Sequence, residues 1–316
     1  MLALGKKKFT GVSQFLARFR GWIQAGAALL TNLHLPNFLK GRLYQGAGKT
    51  VCVPGLNCYS CPAASGACPI GAFQAVVGSS KFSFSYYITG ILILLGVLLG
   101  RFICGFLCPF GWFQELLHKI PSRKLSTRKL KPLRYLKYAI LLVMVFLLPA
   151  FLVNDVGMGD PFFCKYLCPQ GVLEGAIPLS LANSGIRAAL GSLFTWKFGI
   201  LLVVIVLSVL FYRPFCKWIC PLGAFYALLN KVSLVQMKVD QSKCISCGKC
   251  AKACKMDVDV TKSPNHTECI RCGMCVRACP TNAVRFRCGF GTGKQGTVLP
   301  EKTNKQMNDI VKEKKS

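Results

Sequence analysis

The chain has 316 residues, of which 53% are hydrophobic and only 16% charged, with a mean hydropathy of +0.44. That composition excludes an ordinary soluble globular protein and leaves a chain partly solvated by lipid. Lysine and arginine outnumber aspartate and glutamate 40 to 11, a net charge of +29, which calls for anionic surroundings but says nothing of the fold.

The first apolar stretch, residues 21–35, is short and interrupted by Gln24, Asn32 and His34. It reads as a weak span, with an interfacial helix or an uncleaved anchor as alternatives. Residues 83–103, 135–153 and 194–212 are each long enough to cross a bilayer core of about 30 Å, which takes about 20 apolar residues. Between the first two lie Lys119, Arg123, Lys124, Arg128, Lys129, Lys131 and Arg134, so the positive-inside rule places that loop in the cytoplasm. Residues 154–193 carry Lys165 and Arg187 against Asp155, Asp160 and Glu174, and belong outside. Counting onward puts everything after 212 inside, and counting backward puts 36–82 outside. The basic start, with Lys6, Lys7, Lys8, Arg18 and Arg20, prefers the inside, which requires the weak segment to cross as well. The expectation is a multi-pass protein of the cell membrane with four spans, both termini cytoplasmic.

A short phrase recurs four times, as Cys68-Pro-Ile-Gly, Cys108-Pro-Phe-Gly, Cys168-Pro-Gln-Gly and Cys220-Pro-Leu-Gly. In three copies another cysteine stands four residues earlier, giving the pairs Cys104/Cys108, Cys164/Cys168 and Cys216/Cys220. The first copy is stretched, with Cys58 and Cys61 ahead of Cys68. Proline suits the first turn of a helix, and apolar residues follow at helical spacing, Phe113, Leu116 and Leu117 in one copy and Phe225, Leu228 and Leu229 in another. Each phrase therefore begins a short helix along the membrane surface, whose free N–H groups and positive dipole end favour a thiolate.

On this topology Cys104, Cys108, Cys216 and Cys220 fall inside, while Cys58, Cys61, Cys68, Cys164 and Cys168 fall outside. The membrane part then consists of two tandem halves. Four thiolates are what one 4Fe-4S cluster needs, so the inner set is expected to hold a cluster. Four of the outer five are expected to hold another, or, in an oxidising exterior, to form a disulfide such as Cys164 to Cys168. A buried cysteine is ordinarily a small hydrophobe, but pairs repeatedly followed by proline are poorly explained that way. Cys52 and Cys288 have no assigned partner and read as structural.

Near the C-terminus, Cys244, Cys247, Cys250 and Cys254 stand as C-x2-C-x2-C-x3-C, and Cys269, Cys272, Cys275 and Cys279 repeat the spacing with Pro280 after the last. Zinc sites usually show paired C-x2-C units with a longer spacer, so a triple run with a distal fourth cysteine, twice over, fits cubane clusters better. Residues 289–316 are polar and Lys-rich and read as a disordered tail.

Other candidates are weaker. His118 with Glu115, just past an inner phrase, could meet a quinone head group, but a solvated helix face explains them as well. His34 reads as interfacial. No nucleotide-binding loop or hydrolase triad has supporting context. The positive charge flanks apolar stretches or lies in the tail, without a base-stacking aromatic pattern. Anionic lipid is therefore its simplest partner, an acidic redox protein the second, and nucleic acid is set aside.

The two triple runs resemble the bacterial two-cluster ferredoxins, in which the fourth cysteine of each run ligates the other run's cluster. That resemblance implies one cluster on Cys244, Cys247, Cys250 and Cys279 and a second on Cys269, Cys272, Cys275 and Cys254. Lys255 departs from it, standing where that family often has proline. Spans ending in C-x3-C-P followed by such a domain resemble the membrane polyferredoxins of the NapH, NosR and CcoG type. The resemblance covers roughly residues 83–287, and the pair Cys164/Cys168 and the Cys58-to-Cys61 segment depart from it.

The expectation is thus a mostly α membrane protein, residues 1–235, of about four transmembrane helices in two tandem halves, with a small α+β bacterial-type two-cluster ferredoxin domain at 236–288. Members of the family pass electrons between a cytoplasmic or quinol donor and a partner oxidoreductase, so this chain is expected to be an electron-transfer subunit. An assembly factor for a metalloenzyme and a redox-sensing regulator are the alternatives. Two membrane faces about 30 Å apart are far for one electron hop, so transfer across needs clusters on both sides or a mobile quinone.

Overall fold

In the structure, a computed structural model, residues 2–79, 85–155 and 158–289 are described, those of 2–10 and Lys129 by backbone alone. The tail expected beyond Gly289 lies outside the described residues. The chain opens with one helix, α1 (Leu2–Thr31), which absorbs most of the weak segment expected at 21–35. At 1.5 Å per residue it is about 45 Å long. It is followed by α2 (Pro69–Gly78), α3 (Tyr86–Leu98), α4 (Phe102–Phe106), α5 (Pro109–His118), α6 (Leu130–Phe151), α7 (Gly171–Ala182), α8 (Ser192–Leu210), α9 (Pro214–Trp218) and α10 (Pro221–Leu229).

Two of these, α6 and α8, are long and apolar enough to cross a membrane by length and composition. The helix within the expected span 83–103 is shorter, because Gly100 turns the chain with φ 55° and α4 starts afresh. The cause lies far along the chain. A Cβ on Gly100 would stand 2.7 Å from Arg271 Nη1 and 2.9 Å from Asn230 Oδ1, so the glycine gives the backbone both its left-handed turn and its room.

The C-terminal domain pairs β1 (Val235–Val239) antiparallel with β2 (Val284–Cys288), with Met237 opposite Phe286. Between them stand α11 (Lys249–Ala253) and α12 (Met274–Ala278). The two halves are backbone copies. Ser246 and Arg271, Gly248 and Gly273, and Asp257 and Asn282 occupy equivalent places, and all six have positive φ.

Buried charge fastens this domain to the helices. Glu268 meets Arg101 at 2.9 Å and Lys137 at 2.6 Å, with both cations fully buried. Asp257 meets Arg134 at 3.2 Å and Lys217 at 3.1 Å. Arg271 donates to the carbonyls of Leu99 and Asn230 at 2.9 and 2.6 Å. The first half of α1 lies against the domain too, where Ser13 Oγ accepts from the Phe286 amide and Ala17 packs by Gly273. The far end of α1 meets residues 57–65, since Asn57 Nδ2 and the Ser65 amide both donate to the Thr31 carbonyl.

Gly105 marks the closest approach, since any Cβ there would run into the Ile270 carbonyl. Gly105→Val is expected to cost about 1–3 kcal/mol through overpacking. Limited proteolysis near residue 233 checks it, and cleavage no faster than in the unsubstituted protein would refute it.

Candidate cluster-binding sites

Cys244, Cys247, Cys250 and Cys279 line one void, and Cys254, Cys269, Cys272 and Cys275 line another. The fourth cysteine of each run thus faces the other run's site, the exchange that the ferredoxin resemblance implies. The Ala283 amide donates to Cys279 Sγ at 3.2 Å and the Val258 amide to Cys254 Sγ at 3.4 Å. Lys255, in place of proline, offers its carbonyl to Lys217 Nζ at 2.8 Å and lays its ammonium 5.2 Å from the centre of the Tyr212 ring. Of these two contacts only that of the ammonium needs lysine, since proline offers a carbonyl as well.

A third void is lined by Cys104, Cys108, Cys216 and Cys220 with Leu56 and Tyr226 among their neighbours. The repeated phrase explains its construction. Cys68, Cys108 and Cys220 are helix N-caps followed by proline. In the fourth phrase the Gly223 amide, three residues on, donates to Cys220 Sγ at 3.3 Å, and the equivalent amides of Gly71, Gly111 and Gly171 lie beside Cys68, Cys108 and Cys168. This is a helix N-cap with sulfur in the place of oxygen.

The glycines also lie beside a neighbouring thiol. A Cβ on Gly71 would lie 3.6 Å from Cys164 Sγ, and one on Gly171 would lie 3.7 Å from Cys58 Sγ. Cys58, Cys68, Cys164 and Cys168 are accordingly within electrostatic reach of one another. Cys61, fully buried, turns instead to Asn32 Oδ1 at 3.6 Å. Of the five outer cysteines the structure brings together four. Every described cysteine is a free thiol, Cys164 and Cys168 included.

The phrases pair first with third and second with fourth, on one plan. Gln74, six residues after Cys68, donates to Cys164 Sγ at 3.2 Å and accepts from the Phe163 amide at 3.0 Å. Gln114, six residues after Cys108, donates to Cys216 Sγ at 3.2 Å and accepts from the Phe215 amide at 3.2 Å. The same position in the other two phrases holds Glu174, which accepts from the Cys58 amide at 3.1 Å, and Tyr226, whose hydroxyl donates to the Pro54 carbonyl at 3.1 Å. Sequence reading passed over these four side chains, although a polar residue six after each phrase cysteine was there to be seen.

The two sets adjoin. Gly55 lies against Cys108, Leu56 lines the void of the Cys104 set, and three residues on from Gly55 the sulfur of Cys58 lies by Gly171 of the other set. Three residues of extended chain span at most about 10 Å, so this stretch keeps the two sets close. A separation of about 30 Å is therefore corrected for these sites, because residues 54–58 dip back to the Cys104 set instead of staying on a far face. At its other side the Cys104 set adjoins the ferredoxin domain, where Gly105 meets Ile270, the residue after Cys269.

Among the described residues no group of three or more His, Cys, Asp or Glu side chains converges on a single-ion site. In three of the four sets the thiols surround a void, an arrangement that fits a polynuclear iron–sulfur group.

The weaker candidates fare differently. Glu115 is neither on a solvated face nor free for a quinone, since it pairs with Arg20 and with Arg213 and accepts from Tyr212. His118 packs edge-on against Tyr212. His34 stacks on Tyr44 with ring centres 3.7 Å apart. Cys52 bridges to Ala67 and Cys288 is exposed at the end of β2. Arg101, Lys137 and Glu268 were missed, because each in sequence is a single charge at the edge of an apolar or cysteine-rich run.

Two family profiles, each described as a 4Fe-4S binding domain, match the chain. One recurs over residues 66–87, 83–128, 137–177 and 193–240, one match for each phrase, and the other covers 237–258 and 263–285, one for each triple run. The chain is similar to an uncharacterized protein of Methanocaldococcus jannaschii, 28% identical over 54% of this chain and 66% of that protein. It is similar to the methylamine utilization ferredoxin-type protein MauN of Methylorubrum extorquens, 27% identical over 60% of this chain and 56% of that one. It also resembles the ferredoxin-type protein NapH of Haemophilus influenzae, 28% identical over 48% of this chain and 66% of that one. The chain thus spans between about half and two thirds of the length of these relatives. No solved structure matches it.

Proposed function

The chain belongs to the polyferredoxin family of the NapH and NosR type, and on that premise we propose that its four cysteine sets hold four 4Fe-4S clusters in a row, forming an electron wire. The ligands are Cys244, Cys247, Cys250 and Cys279; Cys254, Cys269, Cys272 and Cys275; Cys104, Cys108, Cys216 and Cys220; and Cys58, Cys68, Cys164 and Cys168. Bound clusters supply one-electron chemistry over a wide range of potentials. The chain's own residues set the spacing, exclude water and hold donors at the sulfurs. The single observation that carries the reading is the short stretch from Gly55, against Cys108, to Cys58, against Gly171, which touches two different cysteine sets.

The wire runs from a cytoplasmic ferredoxin domain into the membrane. Four spans with both termini inside remain the proposed topology, supported by α1, whose first half lies on the ferredoxin domain and whose last turn reaches residues 57–65. Electrons pass between a donor at the cytoplasmic end, or a quinol, and a partner oxidoreductase at the other, with anionic lipid around the basic flanks.

Anaerobically purified full chain is expected to carry about 16 iron and 16 sulfide, four clusters of four. About half of that would reduce the membrane part to an anchor for a two-cluster ferredoxin.

Potential is tuned locally. Gln114→Leu removes a donor from Cys216 Sγ, and a sulfur relieved of a hydrogen bond holds more charge, so the reduced cluster is less favoured. One EPR-monitored potential is expected to fall while the ferredoxin pair stays put. Unchanged potentials throughout would make Gln114 a packing residue only.

A further inference from the structure

We propose that the exposed rim of the Cys244/Cys247/Cys250/Cys279 site is the docking face for an acidic, soluble one-electron carrier protein. The inference rests on the wire reading above and names its cytoplasmic partner and the surface that partner meets.

The internal symmetry of the ferredoxin domain carries it. Its halves repeat the same backbone, so each cluster site has an equivalent outer face. One of these faces is already in use. At the Cys269 site the residue before the first cysteine is Glu268, clamped by Arg101 and Lys137, and Arg271 inserts between Leu99 and Asn230. That face is thus a working example of how this domain meets a partner close to a cluster, with an acid answering basic helices.

At the equivalent face the charge is reversed. Lys243 stands where Glu268 does and Ser246 where Arg271 does, and both are exposed. Ile245 is 58% exposed, an apolar spot within the site's own lining. Lys249 and Lys252 on α11 and Lys262 beyond it are exposed as well. Asp240, bonded by Ser242 and 3.9 Å from Arg285, lies within electrostatic reach of Lys243, but among the described residues no carboxylate forms an ion pair with Lys249, Lys252 or Lys262. An apolar spot ringed by exposed lysines, over a redox site, fits an acidic partner. Such complementarity sets association rate more than affinity, as an electron carrier that must bind and leave requires.

The test compares reduction of the full, cluster-loaded chain by two reagents, a reduced acidic plant-type ferredoxin as the probe and a photoreduced deazaflavin without charged side chains. In Lys243→Glu/Lys249→Glu/Lys252→Glu the second-order rate with the acidic probe is expected to drop at least about tenfold and to lose its salt dependence. The deazaflavin rate and the iron content stay as they were. An unchanged rate with the acidic probe would overturn the proposal. So would a variant that keeps this rate but loses its hold on phosphatidylserine vesicles, since the lysines would then serve lipid. A deazaflavin bleach worth only two clusters would instead sink the four-cluster reading and leave the lysine comparison standing in support of docking at this site.

Discussion

Cys216→Ser is expected to cost the full chain about a quarter of its iron, one cluster of four, and to stop electrons from reaching the Cys58 set. Cys216 is buried on α9, a helix of five residues, and its sulfur faces Cys104, Cys108 and Cys220 across one void. A serine hydroxyl there is a poor ligand, because the soft iron of a cluster selects thiolate. The surroundings cannot make up the loss, since Gln114 Nε2 offers a donor where the missing charge needs replacing. The ferredoxin pair sits on other cysteines and should keep its EPR signals.

The pairing of phrases sharpens this test. Cys164→Ser should remove a different quarter of the iron, because Cys164 shares its surroundings with Cys58, Cys68 and Cys168. Cys61→Ser should remove none, since that side chain turns to Asn32. Full iron in Cys216→Ser would refute the membrane sites, and lost iron in Cys61→Ser would refute the choice of four among five.

Glu268→Ala is expected to release the ferredoxin domain from the helices. The carboxylate is all but buried, with Arg101 and Lys137 wholly so. Burial opposes its charged form, yet the Arg101 and Lys137 charges overcome that and hold its pKa at about 2. Removing it leaves two cations in a low-dielectric joint without their counter-ion, a loss of about 3–5 kcal/mol when a buried pair is broken. Apolar burial alone does not make this good, because the joint includes Asn230, which ties the Cys269 and His266 carbonyls to the Arg101 amide.

The expected readout is rapid proteolysis after residue 233, with slow transfer from the ferredoxin pair to the Cys104 set. Arg101→Met/Lys137→Met/Glu268→Met is the control, for it removes both signs together and should recover much of the stability. A Glu268→Ala protein as protease-resistant as the unsubstituted chain would show that the joint does not depend on charge.

Much of the chemistry was legible without coordinates because ligation demands local spacing. Two triple cysteine runs and four C-P-x-G phrases each place a thiol at a fixed offset from a helix start, and N-cap geometry needs only the next three residues. The apolar helices Leu130–Phe151 and Ser192–Leu210 were legible for the same reason, since the lipid requirement is met residue by residue along one helix.

The relations between segments were not legible, because nothing local encodes them. Which four of the five outer cysteines converge depends on Gly71 meeting Cys164 and Gly171 meeting Cys58, sulfurs about 90 and 110 residues away along the chain. Where α3 stops depends on Arg271 arriving at Gly100. A count of spans places cysteines on two faces, but the dip of residues 54–58 that brings Leu56 to one set and Cys58 to the other is a tertiary event, set by Tyr226 holding the Pro54 carbonyl and by Gly55 lying against Cys108. Sequence by itself therefore determined which atoms can bind clusters, and only the packing of distant segments decided how near those sites stand to one another.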